Sequence, residues 1–140
     1  MTKINYQNLP STSTPLNATN LNAMQNITET GSNANGNYIK YEDGTLIQWK
    51  SEDVDDQAIA TQYGGTVIYF GTRQLNLPTA FYNTDYAVFV GKAIWGTGGS
   101  WGACMSNINT TTARLIFYDM FSRETGTVFH LSWMAIGRWK

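Results

Sequence analysis

What this 140-residue chain has little of narrows the classes of protein that it can belong to. It contains one cysteine, so no disulfide can form within the chain, and one histidine, which cannot build a multi-histidine metal site alone. Nine basic residues face ten acidic ones, and the net charge of −1 is unlike that of a basic nucleic-acid-binding domain. No segment approaches the roughly 18 apolar residues of a membrane span, and residues 1–5 lack the apolar core of a secretory signal. These scarcities predict one ordinary domain with no disulfide, metal centre, cofactor or membrane insertion.

The residues that are abundant favour an all-β protein. Charged residues make up 14% of the chain, against roughly 25% in average domains, and aromatic residues also make up 14%. Asparagine and threonine dominate the polar set. A neutral polar surface with many aromatic rings suits an all-β protein that works outside a cell, and it also suits sugar binding. Composition is compatible with both and establishes neither.

The chain divides into two regions of different texture. Residues 1–37 are polar and poor in aromatic residues, whereas residues 38–140 contain all five tryptophans. Residues 31–37, Gly-Ser-Asn-Ala-Asn-Gly-Asn, have the small and polar chemistry of a linker. We therefore predict an N-terminal attachment segment over residues 1–37 and a β-sandwich head domain over residues 38–140.

The N-terminal region carries one predicted helix of about 13 residues, which is marginal alone in water. Asn17 can cap its start, Thr14-Pro15 offers an alternative start one turn earlier, and Gly31 is a plausible stop. A single apolar stripe runs along it, formed by Ala18, Leu21, Met24 and Ile27. The stripe needs a partner surface, which is either the chain's own domain or further copies arranged around an axis.

The C-terminal region contains about six predicted strands without a helical pattern between them. The clearest signal is Asp43-Gly44 between two apolar runs, which is typical of a β-hairpin. The runs comprise residues 38–41, 45–49, 66–70, 86–94, 113–118 and 127–137. This pattern predicts an antiparallel sandwich or barrel.

No convincing catalytic arrangement is present, and we predict that the chain is not an enzyme. The glycine-rich stretch 96–100 lacks the lysine of a phosphate-binding loop, and His130 lies within a predicted strand. The acidic cluster 52–56 lacks the order of a calcium loop and is best explained as a solvated loop. Nothing selects a pair of carboxylates for glycoside hydrolysis, although ten are available.

Several loops instead combine aromatic rings with neutral polar groups, which is the chemistry that sugars require. Two tryptophans bracket the polar turn 96–100, and two other loops offer similar mixtures. The candidate carbohydrate-binding residues are Trp95, Trp101, Tyr82, Asp85, Asn107 and Asn109. The alternative for the tryptophans is a place in the core or in a subunit interface.

Three segments resemble bacteriophage tail proteins. Residues 9–25, which contain Thr-Pro-Leu-Asn-Ala-Thr-Asn-Leu-Asn-Ala-Met, resemble the "TPLNA-x-NLN-x-M" segment of tail and baseplate proteins. Residues 36–49 and the ending 132–139 look like the first hairpin and last strand of tail-fibre C-terminal domains. Residues 77–81 fit the "LP-x-x-F" loop between them. The patches touch most of the chain, but each is short.

The resemblance implies a small antiparallel β-sandwich similar to H-type lectins, preceded by a short helix and assembled as a homotrimer. It implies a receptor-binding protein of the phage tail, made in the bacterial cytoplasm and carried on the virion, with host glycan and other tail or baseplate proteins as partners. The direct junction at residues 31–37 departs from members that have a long shaft, and it suggests a compact tip or a small baseplate accessory. The alternatives are a structural adaptor that binds no glycan and a small glycan hydrolase.

Overall fold

The computed structural model describes residues 27–96 and 98–140, and in this part of the chain every regular element is a β-strand. Ten strands follow one another: β1 (Ile27–Asn33), β2 (Gly36–Tyr41), β3 (Thr45–Val54), β4 (Thr61–Gln62), β5 (Tyr69–Asn76), β6 (Ala87–Trp95), β7 (Gly98–Gly99), β8 (Trp101–Asn107), β9 (Thr112–Asp119) and β10 (Phe129–Arg138). Among these residues no helix is long and apolar enough to cross a membrane.

The strands form two sheets in which all neighbouring strands are antiparallel. Sheet A has the order β1-β2-β3-β10-β6-β7, and sheet B has the order β4-β5-β9-β8. The prediction of an all-β antiparallel sandwich is confirmed. Four strands were not predicted, namely β1 and the strands β4, β7 and β8, and the first of these adds an edge to sheet A.

The core lies between the sheets and is built from alternate residues of their central strands. In β10, Phe129, Leu131, Trp133 and Ala135 are buried while the residues between them face outward, as the two-residue period of a strand requires. In β9, Ala113, Leu115 and Phe117 are buried in the same way. The rings of Phe117 and Phe129 meet edge to face at 4.9 Å and join the two sheets.

The register defines two ends of the sandwich. β1 begins at Ile27 opposite Tyr41, and the strand ends beside it are marked by Thr45, Arg138 and Ala87. We call this the near end. The opposite strand ends, at Val54, Phe129 and Trp95, mark the far end. The chain therefore enters the sandwich at the near end, on an edge of sheet A.

The loop between β5 and β6 closes the near end by filling the space between the sheets. The rings of Phe81 and Tyr86 are buried and stack at 4.3 Å. The Tyr86 hydroxyl donates a hydrogen bond that the carbonyl oxygens of Asn109 and Thr112 share, each at 2.9 Å. Burial raises the pKa of Tyr86 to about 12, so this hydroxyl remains a donor at neutral pH.

The predicted linker is part of the sandwich instead of a connection to it. Residues 31–33 and 36–37 belong to β1 and β2, and the turn between them is Ala34-Asn35. Gly31 does not end a helix: it lies in β1, where an added Cβ would come within 2.5 Å of the Tyr38 ring. The end of the predicted helix is also wrong, because Ile27 and the three residues after it belong to β1; the part of the predicted helix before Ile27 lies outside the described residues. The two-part division of the chain stays a prediction, with residues 27–37 paired to the head.

Candidate functional site

The six candidate sugar-binding residues do not form one site, because the fold places them at opposite ends of the sandwich. Trp95 and Trp101 lie at the far end, where β6 ends and β8 begins. Four others lie at the near end, in or beside its loops: Tyr82, Asp85, Asn107 and Asn109. Strand β6 separates the two groups by about 26 Å. A site the size of a few sugar rings can use one group or the other.

Two residues of the near-end group hold its loops in place. The Asn107 side-chain amide donates to the carbonyl oxygens of Thr84 at 2.8 Å and Tyr86 at 2.6 Å. The Asn109 side-chain oxygen accepts hydrogen bonds from the backbone amides of Thr111 and Thr112, as in an Asx turn. These groups are already satisfied within the chain, so their first role is structural.

Tyr82 and Asp85 are the exposed members of the near-end group. The Tyr82 side chain is 70% exposed, and its backbone amide donates to the Arg138 carbonyl oxygen at 2.7 Å. Asp85 is exposed, and its amide is held by Asn83 at 3.0 Å. Both residues remain accessible to a ligand, and Tyr82 is the one aromatic ring among the four candidate residues of this group.

At the far end, Trp95 packs into the molecule. It is half-buried, it contacts the core cluster, and the Arg123 guanidinium lies over its ring at 5.0 Å. Its indole Nε1 is buried and has no hydrogen-bond partner among the described residues. One ring face is thus covered by a cation of the chain itself, and we assign Trp95 a packing role.

Trp101 has a different environment, because it lies on the outer face of sheet B. Its side chain is 48% exposed, and it is paired in register with Tyr118, which is paired in turn with Phe70. The Trp101 and Tyr118 rings stack with 6.0 Å between centroids and 21° between planes. Tyr63, just after β4, meets Phe70 edge to face at 6.0 Å. We call these four rings the aromatic strip.

The aromatic strip crosses β8, β9 and β5 at the far end of sheet B and ends at Tyr63, just after β4. Three strand spacings give it a length of about 14 Å, which is longer than a single sugar ring. The neighbouring row toward the near end consists of Ala103, Ile116 and Thr72, which carry no charge. The surface therefore offers flat apolar faces beside an uncharged row, and the C–H faces of a sugar can pack on such rings.

A buried polar network fixes the turn that carries Trp101. The Asp119 carboxylate is 2% exposed and accepts hydrogen bonds from Ser100 Oγ at 2.8 Å and Arg123 Nε at 2.9 Å. The Phe121 amide donates to its other oxygen at 2.9 Å. Burial alone would raise the pKa of Asp119, but these three hydrogen bonds outweigh it and hold the pKa below its usual value. The charged carboxylate thus anchors Ser100, which directly precedes Trp101.

Apolar side chains next to the strip extend the accessible surface of the far end. Val67 is 71% exposed, Met120 60% and Phe121 66%. Isolated exposed apolar residues are ordinary, but several on neighbouring loops around a row of rings are typical of a binding surface.

Sequence reasoning found Trp101 and missed the three rings beside it. Phe70 and Tyr118 fall inside predicted strands, but each lies in a continuous apolar run that does not distinguish the outer face from the core face. What could not be read from the sequence was the register that brings residues from three separate strands into one row. Tyr63 follows a two-residue strand that carries no sequence signal of its own.

The described residues offer little for catalysis. They contain no group of three or more histidine, cysteine or acidic side chains that could hold a metal ion. His130 contacts Asp53 at 2.6 Å on the outer face of sheet A, and no hydroxyl group of the described residues is hydrogen-bonded to its ring. The predicted absence of enzymatic activity stays a prediction.

Comparison with known proteins gives two structural likenesses. No family model and no curated protein matches the chain. A C-terminal fragment of the P. aeruginosa R1 pyocin fibre is 21% identical to this chain, with a TM-score of 0.48. The match covers 89% of this chain and 32% of that fragment, so this chain spans about a third of the length of the fragment. An N-truncated R1-type pyocin tail fibre is 19% identical with a TM-score of 0.48, over 92% of this chain and 99% of that one. Neither likeness assigns a function to this chain.

Proposed function

We propose that this chain is a receptor-binding protein of a bacteriophage tail, which recognises a glycan of the bacterial surface through the aromatic strip. In this proposal residues 1–26 attach it to other tail or baseplate proteins of the virion. The chain works as a homotrimer and catalyses no reaction. Support comes from the tail-protein segment at residues 9–25, the tail-fibre-like ending at residues 132–139 and the antiparallel sandwich between them.

The observation that carries the proposal is the position of the aromatic strip relative to the attachment segment. The chain enters the sandwich at Ile27 at the near end, whereas the strip lies at the far end. A head attached through residues 1–26 would therefore present the strip away from the particle. A tip that meets a cell surface needs its binding groups in that position.

The chemistry of the strip favours a neutral glycan chain over a charged ligand. Aromatic rings bury the apolar faces of sugars while the tyrosine hydroxyls remain free to reach solvent or ligand. One such site binds weakly, because the contact is shallow and open to water. Three copies in one particle raise the effective affinity without any new contact, provided that all three can reach the surface together.

The test is adsorption to host cells and to purified cell-wall polysaccharide with the Trp101→Ala and Tyr82→Ala variants. Trp101 belongs to the strip and Tyr82 to the near end, and both side chains are about half exposed or more, so neither change should disturb the core. We expect Trp101→Ala to weaken binding about tenfold, equivalent to about 1.4 kcal/mol, and Tyr82→Ala to leave it unchanged. Circular dichroism and thermal unfolding check that both variants keep the fold.

Each of the other outcomes contradicts the proposal in a different way. Unchanged adsorption of Trp101→Ala removes the strip from the site, and a loss in Tyr82→Ala instead assigns the site to the near end. If the unaltered chain binds neither cells nor any polysaccharide of an array, the chain is a structural adaptor. Shortened polysaccharide chains after incubation would identify a hydrolase.

A further inference from the structure

A second apolar surface lies on the outer face of sheet A, on the other side of the sandwich from the aromatic strip. Trp49, Met134 and Phe89 stand side by side on β3, β10 and β6, and they are 37%, 43% and 54% exposed. The next row places Ile47 beside Ile136, which is 37% exposed. We call these five residues the apolar belt. All five point away from the core, because the residues between them on the same strands face inward.

The apolar belt has the composition of an interface core. Its two rows contain no charged side chain. The first charges lie in the rows that flank it, at Lys92 on one side and Arg138 on the other, and the Asp53–His130 pair lies one row beyond Lys92. Depletion of charge at the centre with charge at the rim is what distinguishes protein interfaces from ordinary surface. Unlike the strip, the belt mixes aliphatic with aromatic side chains, and aliphatic side chains offer a sugar no flat face on which to stack.

The belt is also shaped to receive a side chain. A shallow groove of about 310 Å³ runs between Trp49, Phe89 and Met134. The groove is open beside Gly91. This glycine is the extra residue of a β-bulge in β6, which shifts the pairing between β6 and β10 next to Ser132. A side chain at Gly91 would narrow this space, because its Cβ would lie 3.1 Å from Ser132 Oγ. Interface cores pack as densely as protein interiors, so grooves of this kind are filled by the partner.

The face is large enough for a stable association. Five strands of sheet A, β1 to β3 with β10 and β6, make it about 24 Å wide, and strands of up to ten residues make it about 30 Å long. The resulting area is on the order of 700 Å², close to the roughly 800 Å² that each partner buries in a standard interface.

The path of the chain selects the occupant. The 26 residues before Ile27 join the sandwich on β1, which is an edge strand of the same sheet. Copies held together at their N-terminal segments would therefore bring their A sheets toward a common axis. Their B sheets, with the aromatic strips, would then face outward.

We propose that copies of this chain associate through the outer face of sheet A, with the apolar belt at the centre of the contact. The inference rests on the homotrimer of the proposed function and specifies which surface builds it. It also predicts that the two apolar surfaces have separate tasks: the belt is buried between copies and the strip stays accessible to glycan.

The test uses the full chain, size-exclusion chromatography with light scattering, and two matched methionine variants. Met134 lies in the belt, whereas Met105 lies on the outer face of sheet B and is 56% exposed. We expect the unaltered chain and Met105→Glu to have about three times the 15.6 kDa mass of one chain. Met134→Glu should fall to a single chain mass at the same concentration, because a carboxylate at the centre of an apolar contact loses its hydration.

Two results would overturn the inference. If Met134→Glu keeps the mass of the unaltered chain, the copies associate through another surface. If the unaltered chain is already a single copy and Met134→Glu lowers its stability, residues 1–26 of the same chain cover the belt. Binding to polysaccharide is measured on the same samples with Trp101→Ala, so a failure of this interface is separate from a failure of glycan recognition.

Discussion

Replacement of Asp119 by asparagine tests whether the buried network at the far end organises the turn that carries Trp101. The carboxylate accepts from Ser100, Arg123 and the Phe121 amide. Asparagine is nearly the same size and can keep the Phe121 contact, but its amide group would face two donors, Ser100 Oγ and Arg123 Nε. The substitution therefore removes charge and acceptor capacity while leaving the volume of the site almost unchanged.

The expected loss follows from the two hydrogen bonds that asparagine cannot accept. A hydrogen bond to a charged group contributes roughly 1.5–3 kcal/mol, and removing one member of a buried ion pair costs more than the contact itself. The Arg123 side chain is 21% exposed and can regain some water. We expect the free energy of unfolding to fall by about 3 kcal/mol, which corresponds to a decrease in Tm of roughly 9 °C for a domain of this size.

The assay is urea unfolding at one protein concentration, repeated between neutral and acid pH. The folded-state pKa of Asp119 lies below its usual value, so its contribution is fully present above the unfolded-state pKa of about 3.9 and is lost as pH falls through the folded-state pKa. Stability of the Asp119→Asn variant lacks this contribution at every pH. The difference between the two proteins should therefore shrink in acid.

Asp85→Asn is the matched control, since that carboxylate is exposed and no acceptor role for it is found in the described part of the chain. It should change stability by less than about 0.5 kcal/mol. The reasoning is refuted if Asp119→Asn also stays within that margin, or if the gap between it and the unaltered chain is constant down to the lowest pH.

Two further predictions concern the interior. An alanine Cβ at Gly71 would overlap the Ala58 carbonyl oxygen, so Gly71→Ala should lower the free energy of unfolding in urea by about 3 kcal/mol or more. Gly99→Ala, whose Cβ meets no described atom within 4 Å, should lower it by less than about 0.5 kcal/mol, and equal losses would contradict the packing described. Burial raises the pKa of the half-buried Cys104 thiol, which lowers the fraction of reactive thiolate near pH 8. A thiol reagent, followed by absorbance, should therefore label the folded chain far more slowly than the chain in urea. Equal labelling rates would show that the folded chain has an accessible thiolate.

Much of the fold could be predicted from local sequence. The Asp43-Gly44 turn between apolar runs predicted the hairpin that β2 and β3 form, and the run at residues 127–137 predicted β10. These signals are local, because turn geometry and the two-residue period depend only on neighbouring residues. By contrast, β8 lacks β-branched residues altogether and is a strand because it pairs with β9. Residues 31–37 have the composition of a loop, but they form a hairpin because β1 pairs with β2.

Local sequence was enough to predict the all-β class and the central strands, because apolar runs and turn residues depend only on neighbouring residues. Tertiary structure alone decided which outward side chains are neighbours. It gave the two tryptophans of the far end different environments, because Arg123 covers the Trp95 ring whereas the Trp101 ring is exposed. It also joined Trp101 to Tyr118 and Phe70, and Trp49 to Met134 and Phe89, although each set comes from distant parts of the chain. Such rows depend on the register between strands, which is fixed by packing of the whole core, so no single segment encodes them.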